Sequence, residues 1–258
     1  MLKDKQKGHR MARDSSQTAQ DRFTECSLCN AQQFSFYADA DQASLRSITA
    51  LRQDTRAIRP RTPLHWANKD STEVMVLKSG WAFSFQLLED GGRQILDIYM
   101  DGDTIGMPLM LEESLPYGVH TITDCRICVF DSHQLRDLAL AHTGWELALW
   151  KKCMAERLTC YERIVDLGRR SAMERFCRFI VSIRDRATAR GKGNPFEVEF
   201  PLRQHHMADF LGLTAVHTGR LVAELSDQSV IRIKNRRLAI LDEPTLMQLA
   251  GFPTHRAN

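Results

Sequence analysis

No apolar run in the 258-residue chain approaches the roughly 18–20 residues that a membrane-crossing helix needs. The basic start, MLKDKQKGHRMARDSS, has no apolar stretch behind it and does not read as a secretory signal; Met11 is a candidate for the true first residue. Glycine (14) and proline (8) are too few for a collagen-like chain, and a hydrophobic share of 43% is too high for a disordered one. Seven cysteines without an export signal point to reduced thiols in a cytoplasm, not to a disulfide-knotted secreted domain. Signatures of catalysis are missing too: there is no nucleophile-elbow motif, no Gly-rich phosphate loop and no His-Glu-x-x-His helix.

What is there is an ordinary globular chain, long enough for one large domain or two modest ones, each with its own core. The formal net charge of +3 is unevenly spread. From Lys151 onward there are 19 Lys+Arg against 12 Asp+Glu, whereas the first 150 residues hold 16 against 20. A basic second half suits contact with a polyanion, although an ordinary solvated surface carries such an excess as well.

Residues 1–25 are polar and read as a loosely attached tail. Leu45, Ile48 and Leu51 recur every three residues behind a capping Asp41, which predicts a helix over 38–51. Shorter apolar segments follow at 74–77, at Trp81, Phe83 and Phe85, at 94–100 and at 121–130, divided by Gly/Asp turns. Strands at about ten-residue spacing predict an antiparallel barrel or sandwich. Near Ser132 the period changes to about 3.6, predicting helices over 132–140 and 144–169. On the second of these, Leu147, Trp150, Met154, Leu158, Tyr161 and Val165 recur at spacings of three and four, the seam of a two-stranded coil, and Cys153, Cys160 and Ile164 widen the stripe. Such a stripe packs on its own barrel, on a second copy, or on both. A helix over 171–189, a strand over 196–200, two short helices and a hairpin turning near Asn235 complete the chain.

The two short helices carry the most information. Met207, Ala208, Phe210 and Leu211 make an apolar face, Gly212 permits a sharp turn, and Thr214 is placed to cap a following helix held to the core by Leu221, Val222 and Leu225. This is helix-turn-helix spacing, in which the second helix enters the DNA major groove by its amino end. That helix would expose Ala215, Val216, His217, Thr218 and Arg220. Arginine bonds guanine O6 and N7 in bidentate fashion, Val216 or the Thr218 methyl can meet a thymine methyl, and His217 can reach a base or a phosphate. Arg232, Lys234, Arg236 and Arg237 gather on the hairpin, where they can hold phosphates without reading sequence.

The chain resembles the CRP/FNR superfamily of bacterial transcription regulators over roughly residues 26–252. The resemblance lies in Leu77-Lys-Ser-Gly80, in Tyr99-Met-Asp-Gly-Asp-Thr-Ile-Gly106, and in Ala208-Asp-Phe-Leu-Gly-Leu-Thr214 followed by Gly219-Arg220. It implies an α+β chain with a polar tail (1–25), an antiparallel cyclic-nucleotide-binding-type β-roll (26–142), a dimerisation helix (143–170) and a winged helix-turn-helix domain (171–258). It further implies a cytoplasmic homodimer of activator type that binds a palindromic operator on double-stranded DNA and works with RNA polymerase. Arg220 falls on the family's base-reading arginine. Val216 replaces a glutamate that many members carry on this helix, which implies an operator altered from the common TTGA-type half-site.

The same resemblance bears on what the roll senses. Members that bind cyclic nucleotides place a glutamate after Ile-Gly and an Arg-Ser pair at the phosphate; here those positions are Met107, with Pro108 after it, and Tyr117-Gly118. A buried phosphate charge would go uncompensated, so cyclic AMP is not expected to bind. Oxygen-sensing members hold an iron–sulfur cluster on three clustered cysteines and a distant one. Cys26, Cys29 and Cys128 match three of these positions and Ser35, a hard ligand, the fourth. Cys125 is close to Cys128 in sequence, but three residues along a strand places it on the opposite face. Incidental thiols, an unusual metal site and a thiol redox switch all remain open, as does a winged helix that binds only protein; a roll regulating an enzyme is not expected, because no catalytic domain remains once 26–252 is assigned.

Overall fold

The structure, a computed structural model, describes residues 24–141 and 143–252, the side chains of residues 143 and 144 excepted. Most of the expected polar tail therefore lies outside the described residues.

After a helical turn at residues 24–27 and a 3-10 turn at Asn30–Phe34, helix α1 (Gln42–Ala50) begins where Asp41 caps it by accepting the Ser44 amide at 2.7 Å. Eight strands follow: β1 (Arg52–Ile58), β2 (Pro63–His65), β3 (Glu73–Ser79), β4 (Ala82–Leu87), β5 (Arg93–Tyr99), β6 (Thr104–Ile105), β7 (Gly118–Thr121) and β8 (Cys125–Asp131). They pair antiparallel in two four-stranded sheets, ordered β1-β8-β3-β6 and β2-β7-β4-β5. Between the sheets lie Met75, Leu77, Tyr99, Val119, Cys125, Ile127 and Val129.

Both sheets are covered on their outer faces as well, which explains why β3 reads as an unbroken apolar run over 74–77. Val74, Val76, Cys128 and Phe130 turn toward α1, α2 (Ser132–Ala141) and the start of α3 (Thr143–Arg169), where Phe36, Leu135 and Trp145 complete a second core. Phe83 and Phe85 turn the other way and join a third core shared with the C-terminal domain.

The stretch 121–130, expected as one strand, divides into β7 and β8, because residues 122–124 turn the chain from one sheet to the other. Strands β1 and β2, absent from the sequence reading, are polar edge strands whose outward residues, such as Arg56, pair with Asp54 and Glu73 instead of packing. The turn after β5 needs glycine: Gly102 has φ +89°, and a β-carbon there would lie 2.5 Å from the Ala31 carbonyl oxygen.

The C-terminal domain opens with α4 (Ala172–Ala189), capped by Ser171. It continues with β9 (Gly193–Asn194), β10 (Glu197–Glu199), α5 (Gln204–Leu211), α6 (Ala215–Asp227), β11 (Ile231–Lys234), β12 (Arg237–Ile240) and α7 (Glu243–Leu249). Its strands form a sheet ordered β11-β12-β10-β9 around Phe176, Ile180, Val198, Leu225 and Leu238. Helix α4 is tied to the roll at the turn after β5: Arg186 donates to the Ile98 carbonyl and Asp103, each at 2.7 Å, and Arg190 reaches Asp103 at 2.6 Å.

Candidate nucleic-acid interface

The glycine turn and the cap form as the residue types require. Gly212 closes α5 in the left-handed region (φ 63°, ψ 39°), and the Thr214 hydroxyl accepts the His217 amide at 3.1 Å to start α6. The first turns of α6 leave Ala215, Val216, His217 and Arg220 exposed, and Arg220 forms no ion pair among the described residues.

Thr218 is a correction. It is fully buried, so its methyl cannot meet a base. The reason is helical geometry: Thr218, Leu221, Val222 and Leu225 follow one another at spacings of three, one and three, the face that packs on the domain core.

Asn235 (φ 52°) and Arg236 (φ 59°) turn the β11–β12 hairpin with two left-handed residues, the pattern of a tight primed turn. Arg232, Lys234 and Arg236 are exposed along it and form no ion pair among the described residues, whereas Arg237 is held by Glu197. Two residues escaped the sequence reading. Arg203 and Gln204 stand exposed at the amino end of α5, and the Gln204 side-chain amide lies against Gly219 of α6. The available signal was general: the first helix of this motif crosses the DNA backbone. Arg220 on α6, Arg232, Lys234 and Arg236 on the hairpin, and Arg203 and Gln204 at the start of α5 are each exposed hydrogen-bond donors.

Two family models match the chain: a Crp-like helix-turn-helix domain over residues 174–249 and a cyclic nucleotide-binding domain over residues 55–142. The chain belongs to the CRP/FNR superfamily. Among curated relatives it is similar to the transcriptional activator protein FnrL of Cereibacter sphaeroides, 26% identical over 88% of this chain and 92% of that protein. It is also similar to the nitrogen fixation regulation protein FixK of Azorhizobium caulinodans, 28% identical over 68% and 71%. The solved structure of FixK2 from Bradyrhizobium japonicum shares the fold, with a TM-score of 0.71 at 21% identity, covering 78% of this chain and 98% of that one. This CRP/FNR-superfamily chain is thus a transcription regulator with a helix-turn-helix DNA-binding domain, close to the FNR/FixK branch. No helix among its described residues is long and apolar enough to cross a membrane.

The roll of this CRP/FNR regulator brings Cys26, Cys29 and Cys128 to one small pocket, lined also by Glu25, Tyr37, Arg52 and Lys78. Its free space, about 10 Å³, is roughly that of one water molecule. Among the described residues no three ligating side chains are placed to hold a metal. Ser35, at the fourth position, is buried and donates its hydroxyl to the Gln32 carbonyl at 2.7 Å. Cys125 faces the space between the sheets and bonds the Trp81 carbonyl, so it cannot join. With Ser35 turned to a backbone carbonyl and Cys125 facing the other way, the pocket offers three soft ligands, one short of the four that an iron–sulfur cluster takes. Burial pushes the Cys26 thiol up to about 11 and raises Cys128, against the opposing charge of Arg52. The hydrogen bond from Lys78, with that from Arg52, holds Glu25 down at about 2.

At the positions where cyclic-nucleotide binders carry their Arg-Ser pair, Tyr117 is half-buried and Gly118 is buried. The Phe85 ring fills the space beside Gly118, with Cζ 2.9 Å from where a β-carbon would lie.

Along α3, Leu147, Trp150, Met154, Leu158, Tyr161 and Val165 are all exposed, Leu158 at 64%. Cys153 and Cys160 are exposed beside them, whereas Cys177 on α4 is buried.

Proposed function

We propose that this regulator is a homodimer that reads an imperfect palindrome with two copies of α6, Arg220 supplying the base contact in each half-site. Thr214, Val216 and His217 line the same end of the helix, and Arg232, Lys234 and Arg236 hold the flanking phosphates. The observation that carries the reading is the capped, exposed end of α6 bearing Arg220, which, like the exposed Arg232, Lys234 and Arg236 of the hairpin, forms no ion pair among the described residues. A row of six large apolar side chains left exposed on one 27-residue helix supports a second copy seated along α3. Two-fold symmetry then places the half-sites about one helical turn apart.

In this reading the chain divides as a tail (1–25), a β-roll sensor (26–142), a dimerisation helix (143–170) and a DNA-binding domain (171–258). It acts in the cytoplasm with RNA polymerase as partner. The signal is not a cyclic nucleotide: neither Tyr117 nor Gly118 supplies a guanidinium to balance a phosphate charge, and the Phe85 ring fills the space beside Gly118. A signal at the roll changes the register of the paired α3 helices and with it the spacing of the two recognition helices.

Selection from randomised duplexes, followed by affinity measurements on the selected operator, tests this. Arg220→Ala should cost about 1–3 kcal/mol on the operator and relax preference at one base pair per half-site. Equal loss on operator and random DNA would overturn the base-reading role.

A further inference from the structure

The last four carbonyls of a helix have no partner within it. In α5 these belong to Ala208, Asp209, Phe210 and Leu211. Ala208 accepts the amides of Gly212 and Leu213 from the turn itself. The next two are satisfied from elsewhere. Gln94 of β5 donates its side-chain amide to the Asp209 carbonyl at 2.8 Å and the Phe210 carbonyl at 3.2 Å. Arg163 of α3 donates to the Phe210 carbonyl at 3.0 Å and lays its guanidinium over the Phe210 ring, 3.7 Å from the centroid. The same guanidinium donates to the carbonyls of Ile95 and Leu96, so one side chain joins α3, β5 and α5. Beside it, Arg93 grips the Asp209 carboxylate through Nε at 2.8 Å and Nη2 at 2.6 Å. That carboxylate lies in the last turn of a helix, where the helix dipole disfavours it, and Arg93 compensates.

We propose that Arg93, Gln94 and Arg163 are positioning residues for DNA reading: sensor and dimerisation helix together supply the C-terminal cap of the first helix of the motif, and so set the angle of α6. The cap lies two residues before Gly212 and four before Thr214, so its geometry passes through a short turn into the recognition helix. Displacing α3 along the roll removes Arg163 from Phe210 and frees the turn. The inference rests on the DNA-reading role of α6 proposed above.

A double-mutant cycle on the full-length protein tests it, using the operator obtained by selection. Arg93→Ala and Asp209→Ala should each weaken operator binding about tenfold while leaving random-duplex affinity within about twofold. The double variant should be no worse than either single one, and the exchange Arg93→Asp with Asp209→Arg should restore most of the loss. Losses that multiply in the double variant, or singles that bind as wild type, overturn the proposal. A second readout does not depend on operator choice. Spin labels on unnatural amino acids replacing Glu89 and Ser226 should give a narrow distance distribution that broadens in Arg93→Ala and in Arg163→Ala and narrows again in the exchanged pair. An unchanged distribution overturns the positioning role even if operator affinity falls. A wild type that prefers no duplex sinks the DNA-reading role instead, and the distance measurement still decides the cap.

Discussion

The side-chain amide of Gln204 lies so close to Gly219 that a β-carbon on the recognition helix there would be 2.0 Å from Nε2. The obstructing atom is the free end of a flexible side chain, so the backbone need not move. Gly219→Ala should therefore keep or slightly raise the melting temperature, since alanine favours a helix over glycine by about 1 kcal/mol. It should also push Gln204 toward the DNA side and weaken operator binding. Calorimetry with paired binding measurements on Gly219→Ala and Gly219→Ala/Gln204→Ala checks this: removing Gln204 as well should recover part of the lost affinity.

Thr218 presents a different case on the same helix. Its hydroxyl is buried with no hydrogen-bond partner among the described residues, beside Leu221 and Leu225 on the core face. Thr218→Val keeps the shape and removes a desolvated polar group, so unfolding should become harder by about 1 kcal/mol. Operator affinity should stay within twofold of wild type, roughly the noise of such comparisons. A marked loss of sequence preference in this variant would place Thr218 at the DNA after all.

If a second copy covers α3, the thiols beside the apolar row report it. Cys153 and Cys160 are exposed in the single chain, whereas Cys26, Cys125 and Cys177 are buried with thiols raised to about 11, about 11 and about 12 by burial. Leu158→Glu places a charge in the middle of the row and should convert a dimer to a monomer in sedimentation. Maleimide should then modify Cys153 and Cys160 faster in the variant than in wild type. Equal labelling rates, with wild type sedimenting as a monomer, would remove α3 as a dimer seam.

The parts of this fold legible in the sequence are those written in local chemistry. Asp41 and Thr214 cap helices where a short polar side chain precedes an apolar period, and Gly212 marks a turn because only the left-handed region closes it. The burial of Thr218 was legible too, from its spacing to Leu221, Val222 and Leu225, but reading the helix as a DNA face obscured it. Strands β1 and β2 were not legible, since edge strands with charged outward residues carry no alternating apolar signal. Nor was the grip of Arg93 on Asp209, which are 116 residues apart and, as two charges in isolation, each look like a solvated surface residue. The cysteines are a mixed case. Cys26, Cys29 and Cys128 converge as their positions suggest, while Ser35, at the fourth position, donates its hydroxyl to the Gln32 carbonyl.

His206 gives the regulator a pH dependence whose sign follows from its surroundings. Its ring is buried at the first turn of α5, where Nδ1 accepts the Arg203 amide at 3.1 Å and so satisfies one free donor of the helix start. Burial chiefly, with the neighbouring His205, Arg93 and Arg203, pulls its pKa down to about 3. Phe83 of the roll packs on the ring and offers no counter-charge. Above pH 6.5 the ring is neutral both folded and unfolded and contributes no slope. Between 6.5 and about 3 only the unfolded chain takes up the proton, so stability falls as pH falls, by about 1.4 kcal/mol per unit for this one group. His65, His120 and His205 are also pulled down by burial and add in the same direction. Protonating His206 removes the acceptor for Arg203 and adds a cation beside Arg93, so the contact between roll and α5 should loosen along with the domain. Urea unfolding at pH 7.5, 6.0 and 5.0 should show this decline, and His206→Gln, which keeps a carbonyl acceptor and cannot titrate, should flatten it. A decline of the same steepness in the variant would assign the acid sensitivity to other groups.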